Sequence, residues 1–150
     1  MAWWRRKPKE TDDVRPPSDA ETAELMRRLA DEFVQSSRAS DLFDYTVESI
    51  TALEVLIQSL LESASPADLD KSFSLGMGAY VGEVVVRNGA GAHWSYDADQ
   101  RTALVQSAQY GAYPVFKVSK RFTIGPEHSL MQFVQAAIDD EVPPEARQVP

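Results

Sequence analysis

Hydrophobic residues recur three and four positions apart near the start of the chain, as they do along one face of an α-helix. A proline pair precedes this stretch, and Ser18 and Glu21 open it at the spacing of a helix capping box. The apolar face of this first predicted helix consists of Leu25, Met26, Leu29, Ala30, Phe33 and Val34. Arg27 and Arg28 fall on the opposite face, which is typical of a solvated surface.

A second helix is predicted from about Thr46 to Glu62, where the same spacing recurs. Its apolar positions are Ile50, Leu53, Ile57, Leu60 and Leu61. Either Asp44 or Thr46 can cap its first turn. The residues before it, Leu42 and Phe43, are expected to form a short extended segment.

Glycines crowd the middle of the chain. Gly76, Gly78 and Gly82 come close to the spacing of a dinucleotide-binding loop, but such a loop must follow a buried strand and open a helix. The residues before Gly76 instead have the proline and acidic start of a helix, from Pro66 onwards. We therefore predict a third helix, in which Gly78 and Gly82 allow a neighbouring element to approach closely.

The apolar residues of this glycine-rich stretch also fall on one helical face. They are Phe73, Met77, Tyr80, Val81 and Val84. The alternative is a strand at residues 84–86, because three consecutive valines favour a sheet. Gly89 and Gly91 are expected to end the helix as its C-cap and turn.

Short aromatic and β-branched segments follow Gly91, with turn residues between them, which predicts a small antiparallel sheet within residues 92–116. A last helix is predicted to begin near Pro126. Its inward residues are Leu130, Phe133, Val134, Ala137 and Ile138. Three helices, a small sheet and a final helix predict an α+β fold.

At 150 residues the chain is long enough for one core, so we expect a single domain at residues 18–140. Residues 1–17 and 141–150 are expected to be flexible ends. In the first of these, Trp3 and Trp4 precede four basic residues, so weak docking to a membrane or a partner is an alternative to a solvated tail.

The formal net charge of −8 argues against nucleic acid and indicates a protein partner, with a basic one favoured. No apolar run is long enough for stable membrane insertion, and no apolar segment follows the basic start as in a signal peptide. We therefore expect a cytoplasmic protein, as a monomer or a homodimer.

Cofactor and metal chemistry find no support in the residue types present. The chain has no cysteine, which excludes disulfides, thiolate metal sites and thiol nucleophiles. Its two histidines, His93 and His128, have no second ligand at metal-binding spacing. His93 is expected at a strand edge and His128 in the first turn of the last helix, and we expect no cofactor and no bound metal.

Glu83 is the strongest candidate for chemistry, because it lies between apolar positions of the glycine-rich helix. Arg87 follows four residues later, the favourable spacing for a helical ion pair. If this pair is buried, Glu83 needs a further hydrogen-bond donor, which Trp94, Tyr96 or a backbone amide can supply.

A basic cluster, Lys117, Lys120 and Arg121, lies further along this acidic chain. Such clusters are typical of solvated surface, and the alternative is an anion-binding group. With Glu83, the candidate binding residues are Tyr80, Arg87, Trp94, Lys120 and Arg121.

The stretches "LGMGAYVGEVVVRNGAGAHW" and "YPVFKVSKRF" carry a resemblance. They resemble a group of uncharacterised small bacterial domains with an AYxGEVxxR helix, a tryptophan just after it and a PxxKVxKR segment before a final helix. The resemblance extends over residues 20–140. It implies helices at 68–88 and at 114–121, whereas the residue pattern predicts a strand at the start of the latter. Its recurrent polar positions fall at Glu83, Trp94, Lys120 and Arg121, and it implies no activity.

Two classes of function fit these observations. The first, which we favour, is a protein-interaction or regulatory domain. The alternative is an enzyme in which Glu83 is the acid or base and Lys120 with Arg121 binds an anionic substrate. One carboxylate near two cations is less than an active site normally assembles, since several converging groups are usual.

Overall fold

The computed structural model describes residues 15–63, 71–143 and 147–148. Over these ranges the chain forms a single α+β domain, which confirms the predicted fold class. The helices are α1 (Asp19–Ser36), α2 (Ser49–Ser63), α3 (Lys71–Asn88), α4 (Pro114–Thr123) and α5 (Leu130–Ile138). The strands are β1 (His93–Asp97), β2 (Thr102–Gln106) and β3 (Tyr110–Ala112), with a two-residue β4 (Arg147–Gln148).

The first helix begins where its capping pattern predicts. The Glu21 amide donates to the Ser18 hydroxyl at 3.1 Å, and the Ser18 amide donates to the Glu21 carboxylate at 2.9 Å. Each bond satisfies an amide that the first turn of a helix leaves without a helical partner. Helix α1 then packs along α3 and against β1.

Helix α3 is the centre of the fold. It packs against α1, α4, α5 and the first two strands, and Met77 through Val85 are buried without interruption. The alternative of a strand at 84–86 is wrong, because the helix continues to Asn88. The predicted start of this element at Pro66 lies outside the described residues.

The close approach predicted at two glycines is confirmed. A Cβ atom on Gly78 would lie 2.6 Å from the Cα of Val115, so α4 crosses α3 at this glycine. A Cβ atom on Gly82 would overlap the indole ring of Trp94, which reaches α3 from β1. The packing of α4 and of β1 on α3 therefore requires that Gly78 and Gly82 have no side chain.

The strand predicted at residues 114–116 is wrong, because this segment is the first turn of α4. Proline cannot donate to a sheet ladder but suits the first turn of a helix, and Pro114 occupies that position. Val118 and Arg121 lie one turn apart on the buried face of α4. The helix that the resemblance implies is present.

The segment before α2 is also not extended. Ser40–Leu42 form one turn of 3-10 helix, and Phe43 then enters the core. Helix α2 begins at Ser49 rather than Thr46. The hydroxyl of Thr46 accepts from the Ser49 amide at 3.3 Å, so Thr46 rather than Asp44 acts as the cap.

Helix α5 begins four residues later than predicted. Gly125 adopts a φ of 141°, a conformation that favours glycine, and the chain turns there before the helix. The cap is Ser129, whose hydroxyl accepts from the Gln132 amide at 3.2 Å. His128 therefore lies before the helix, with its Nδ1 3.4 Å from the Lys117 ammonium nitrogen.

The strands pair antiparallel in the order β1-β2-β3-β4. His93 opens β1 at the sheet edge and is exposed, as predicted. Arg147 and Gln148, within the end expected to be flexible, pair with Gly111 and Tyr110 of β3. Residues 1–14 of the predicted N-terminal tail lie outside the described residues. No helix in the described ranges is long and apolar enough to cross a membrane.

Candidate functional site

Glu83 is buried, and both its carboxylate oxygens have partners. The indole Nε1 of Trp94 donates to Oε2 at 2.8 Å, and Nε of Arg87 donates to Oε1 at 3.1 Å. The predicted Glu83–Arg87 pair is therefore present, and of the donors considered for a buried pair, Trp94 is used. Only 6% of the Glu83 side chain is exposed, against 39% for Arg87, so the cluster meets solvent on the arginine side.

This cluster extends from α3 to the loop before α2. The guanidinium of Arg87 lies 3.6 Å from the ring centre of Tyr45, a cation–π contact. The Tyr45 hydroxyl donates in turn to Asp31 of α1. Burial and this hydrogen bond raise the pKa of Tyr45, which keeps its hydroxyl a donor. Arg87 is thus held between a carboxylate and an aromatic face.

Tyr80 lies one turn from Glu83 but belongs to a separate hydrogen-bonded chain. Its hydroxyl accepts from the Tyr45 amide at 3.0 Å and also meets the Ser49 hydroxyl. Since Ser49 donates its single proton to the Thr46 carbonyl, Tyr80 is the donor to Ser49. Burial raises the pKa of Tyr80, in keeping with this donor role. Tyr80 fastens α3 to the start of α2.

Arg121 lies in a second cluster. It is buried on α4, and its Nε donates to Oε1 of Glu54 on α2 at 2.8 Å. The other Glu54 oxygen accepts from the Leu130 amide at 3.1 Å, at the start of α5. Gln58 accepts a further bond from Arg121 at 3.3 Å. One carboxylate thus joins α2, α4 and α5.

The six candidate residues therefore fall into different environments. Glu83, Arg87 and Trp94 form one cluster, whereas Arg121 pairs with Glu54. The prediction that the basic cluster is solvated surface is wrong for Arg121 and Lys117, because both are buried. Lys120 is partly buried on the same helix. Glu54 and Tyr45 were missed, since no local spacing rule connects them to their partners.

The contacts of Glu83 indicate that it stabilises the fold, and a substitution at this residue tests that role. Glu83→Gln keeps the shape but turns an amide NH₂ towards one of the two donors and removes the negative charge. We expect the free energy of unfolding in urea to fall by about 1–2 kcal/mol. Glu48→Gln, an exposed site, should change it by less than about 0.5 kcal/mol. Equal stability of the two variants would contradict a structural role for Glu83.

A large groove in the described residues lies away from both clusters. An apolar groove with a volume of about 820 Å³ lies between α1, α2, the 3-10 turn and the first turns of α3. We call it the apolar groove, and its main lining residues are Leu29, Phe33, Leu42, Val55, Phe73 and Leu75. Several of these are exposed, Val55 at 62% and Leu42 at 57%. The size is typical of a ligand or peptide site.

None of the six candidate residues lines the apolar groove. A signal for it exists in the sequence, because Val55 lies outside the apolar face of α2 that carries Leu53 and Ile57. An apolar residue off the core face of an amphipathic helix marks surface that a core does not use. Leu42, placed in an extended segment, gave no such signal.

Comparison of the chain with protein-family models, curated proteins and solved structures gives no match at the significance required. The resemblance to the small bacterial domains therefore stays a prediction. Within the described ranges, no group of three or more histidine and acidic side chains is placed to hold a metal ion.

Proposed function

We propose that this protein is an interaction domain that binds a basic, amphipathic helix of a partner protein in the apolar groove. The observation that carries the proposal is the groove itself. Three helices of the described structure form its walls, and its volume of about 820 Å³ lies in the range of pockets that bind ligands. A helix that inserts residues at spacings of three and four is the usual occupant of such a surface.

The charge of the segments that surround the groove favours one kind of partner. From residue 19 to 63 and from 71 to 88 the chain holds eleven acidic and five basic side chains, a formal excess of six negative charges. Glu32 and Arg38 both line the groove, so the excess negative charge lies on the surrounding helices rather than in the lining itself. A partner helix with lysine or arginine beside its apolar face would associate faster and more selectively than an acidic one. We place this interaction in the cytoplasm.

The enzyme alternative has weaker support. It needs Glu83 close to a cationic group that can hold a substrate anion. Both oxygens of Glu83 already accept hydrogen bonds, and Arg121 forms its ion pair with Glu54 instead. These contacts favour a structural role for both residues.

Selection of helical peptides from a display library on the full chain tests the proposal. We expect enriched peptides with apolar residues at helical spacing and a basic flank. Binding, followed by fluorescence anisotropy, should weaken at least about tenfold for Val55→Asp and for Leu42→Asp.

The matched control is Ile124→Asp. Ile124 is as exposed as Leu42, 57% in each case, but lies outside the groove at the end of α4. This variant should bind the peptides like the unmodified chain. The proposal is overturned if no peptide is enriched, or if the groove variants bind as tightly as the control.

A further inference from the structure

The segment before the described structure has the chemistry that the apolar groove selects. Residues 1–14 hold Trp3 and Trp4 directly before four basic residues, with no acidic residue among the first nine. An indole supplies the largest apolar surface of any side chain, about 150–250 Å² per residue. The four basic residues outnumber Glu10, Asp12 and Asp13 in this segment, and those next to the indoles are attracted to the excess negative charge of the helices around the groove.

The segment is also long enough to reach the groove in the same molecule. The described chain begins at Arg15, whose guanidinium pairs with Glu21 in the first turn of α1 at 2.8 Å. From there the groove residue Phe33 lies about 18 Å further along the helix, at roughly 1.5 Å per residue. The eleven peptide steps from Trp4 to Arg15 can span up to about 36 Å. The indoles can therefore return along α1.

We propose that residues 1–14 bind the apolar groove of their own molecule, with Trp3 and Trp4 as the anchors, and compete there with the partner helix. The inference rests on the proposed function, since it assigns a built-in competitor to the same groove. A segment tethered by so short a connection has an effective concentration on the order of millimolar. A weak intrinsic affinity is therefore enough to keep the groove occupied until a tighter partner arrives.

The probe for this inference is a fluorescein-labelled peptide with the sequence of residues 1–14. It is titrated with the unmodified chain and with a full chain carrying Trp3→Ala and Trp4→Ala. Without its own indoles the doubly substituted chain should bind the peptide. If the peptide has a Kd of about 0.1 mM, competition should raise the apparent Kd about tenfold in the unmodified chain.

Two further chains locate the binding. Val55→Asp added to the doubly substituted chain should abolish peptide binding, and Ile124→Asp added to it should not. Equal affinity of the unmodified and doubly substituted chains would overturn the inference. So would peptide binding that survives Val55→Asp.

Other occupants give different results. If the segment binds a second copy, light scattering should show a dimer of the unmodified chain that the tryptophan substitutions dissociate, which overturns docking within one molecule. If the segment binds lipid instead, the unmodified chain should sediment with phosphatidylserine-containing vesicles, and the peptide should show no binding that depends on Val55. This result would also overturn the inference. If library peptides bind in a way that Val55→Asp abolishes, but the peptide of residues 1–14 does not bind, only this inference is overturned and the proposed function stands. Failure of the library selection would remove the proposed function.

Discussion

Gly82→Ala should lower the free energy of unfolding by about 3 kcal/mol or more, although it adds a single methyl group. The added Cβ would overlap the indole of Trp94. That ring cannot move aside cheaply, because it is 2% exposed and its nitrogen is bonded to Glu83. Either the indole leaves its site and the carboxylate loses a donor, or β1 separates from α3.

Urea unfolding measures this effect, and the same helix offers the control. A Cβ on Gly76 would meet only Phe33 Cβ, at an ordinary 3.5 Å. Gly76→Ala should therefore raise stability by about 0.5–1 kcal/mol, since alanine loses less backbone freedom than glycine in a helix. If both variants are stabilised, the packing of Trp94 on Gly82 is not tight.

Glu54→Ala should cost about 3–5 kcal/mol, because it leaves the buried guanidinium of Arg121 without its anion. Only 5% of the Arg121 side chain is exposed. Its Nη1 has no hydrogen-bond partner among the described residues, so little else compensates the charge. The substitution also removes the acceptor of the Leu130 amide at the start of α5.

Two comparisons separate a buried charge from ordinary loss of contacts. Glu24→Ala removes an exposed pair with Arg27 and should cost at most about 0.5 kcal/mol in urea unfolding. Adding Arg121→Met to Glu54→Ala should recover much of the lost stability, since an apolar side chain of similar length leaves no uncompensated charge. A double variant no more stable than Glu54→Ala would show that the charge is not the cause.

The elements that could be predicted from the sequence are those fixed by local signals. Ser18 and Glu21 define the start of α1 by themselves, and periodicity predicts that the stretch of α3 is helical despite its glycines. The residue pattern missed the start of helix α4, which only the resemblance implied, because Val115, Phe116 and Val118 suit a strand equally well. What decides for the helix is Pro114 together with packing against Gly78, which is distant in sequence.

The candidate site was predictable to the same extent. The Glu83–Arg87 pair follows a spacing of four, and Trp94 lies just beyond the helix. Glu54 and Arg121 are 67 residues apart, so no local rule joins them. The apolar groove could not be predicted, because three helices from different parts of the chain form it. Periodicity shows which face of each helix is apolar but not which apolar residues stay exposed after the helices pack.

The position of α3 in the middle of the chain also governs the order of events during synthesis. Helix α1 leaves the ribosome early, and its inward face lacks its main helical partner until α3 follows. A nascent chain that stops short of Asn88 thus leaves the apolar face of α1 exposed. Because exposed surface of this kind attracts chaperones or leads to aggregation, we expect the nascent chain to be vulnerable until the glycine-rich stretch has been made.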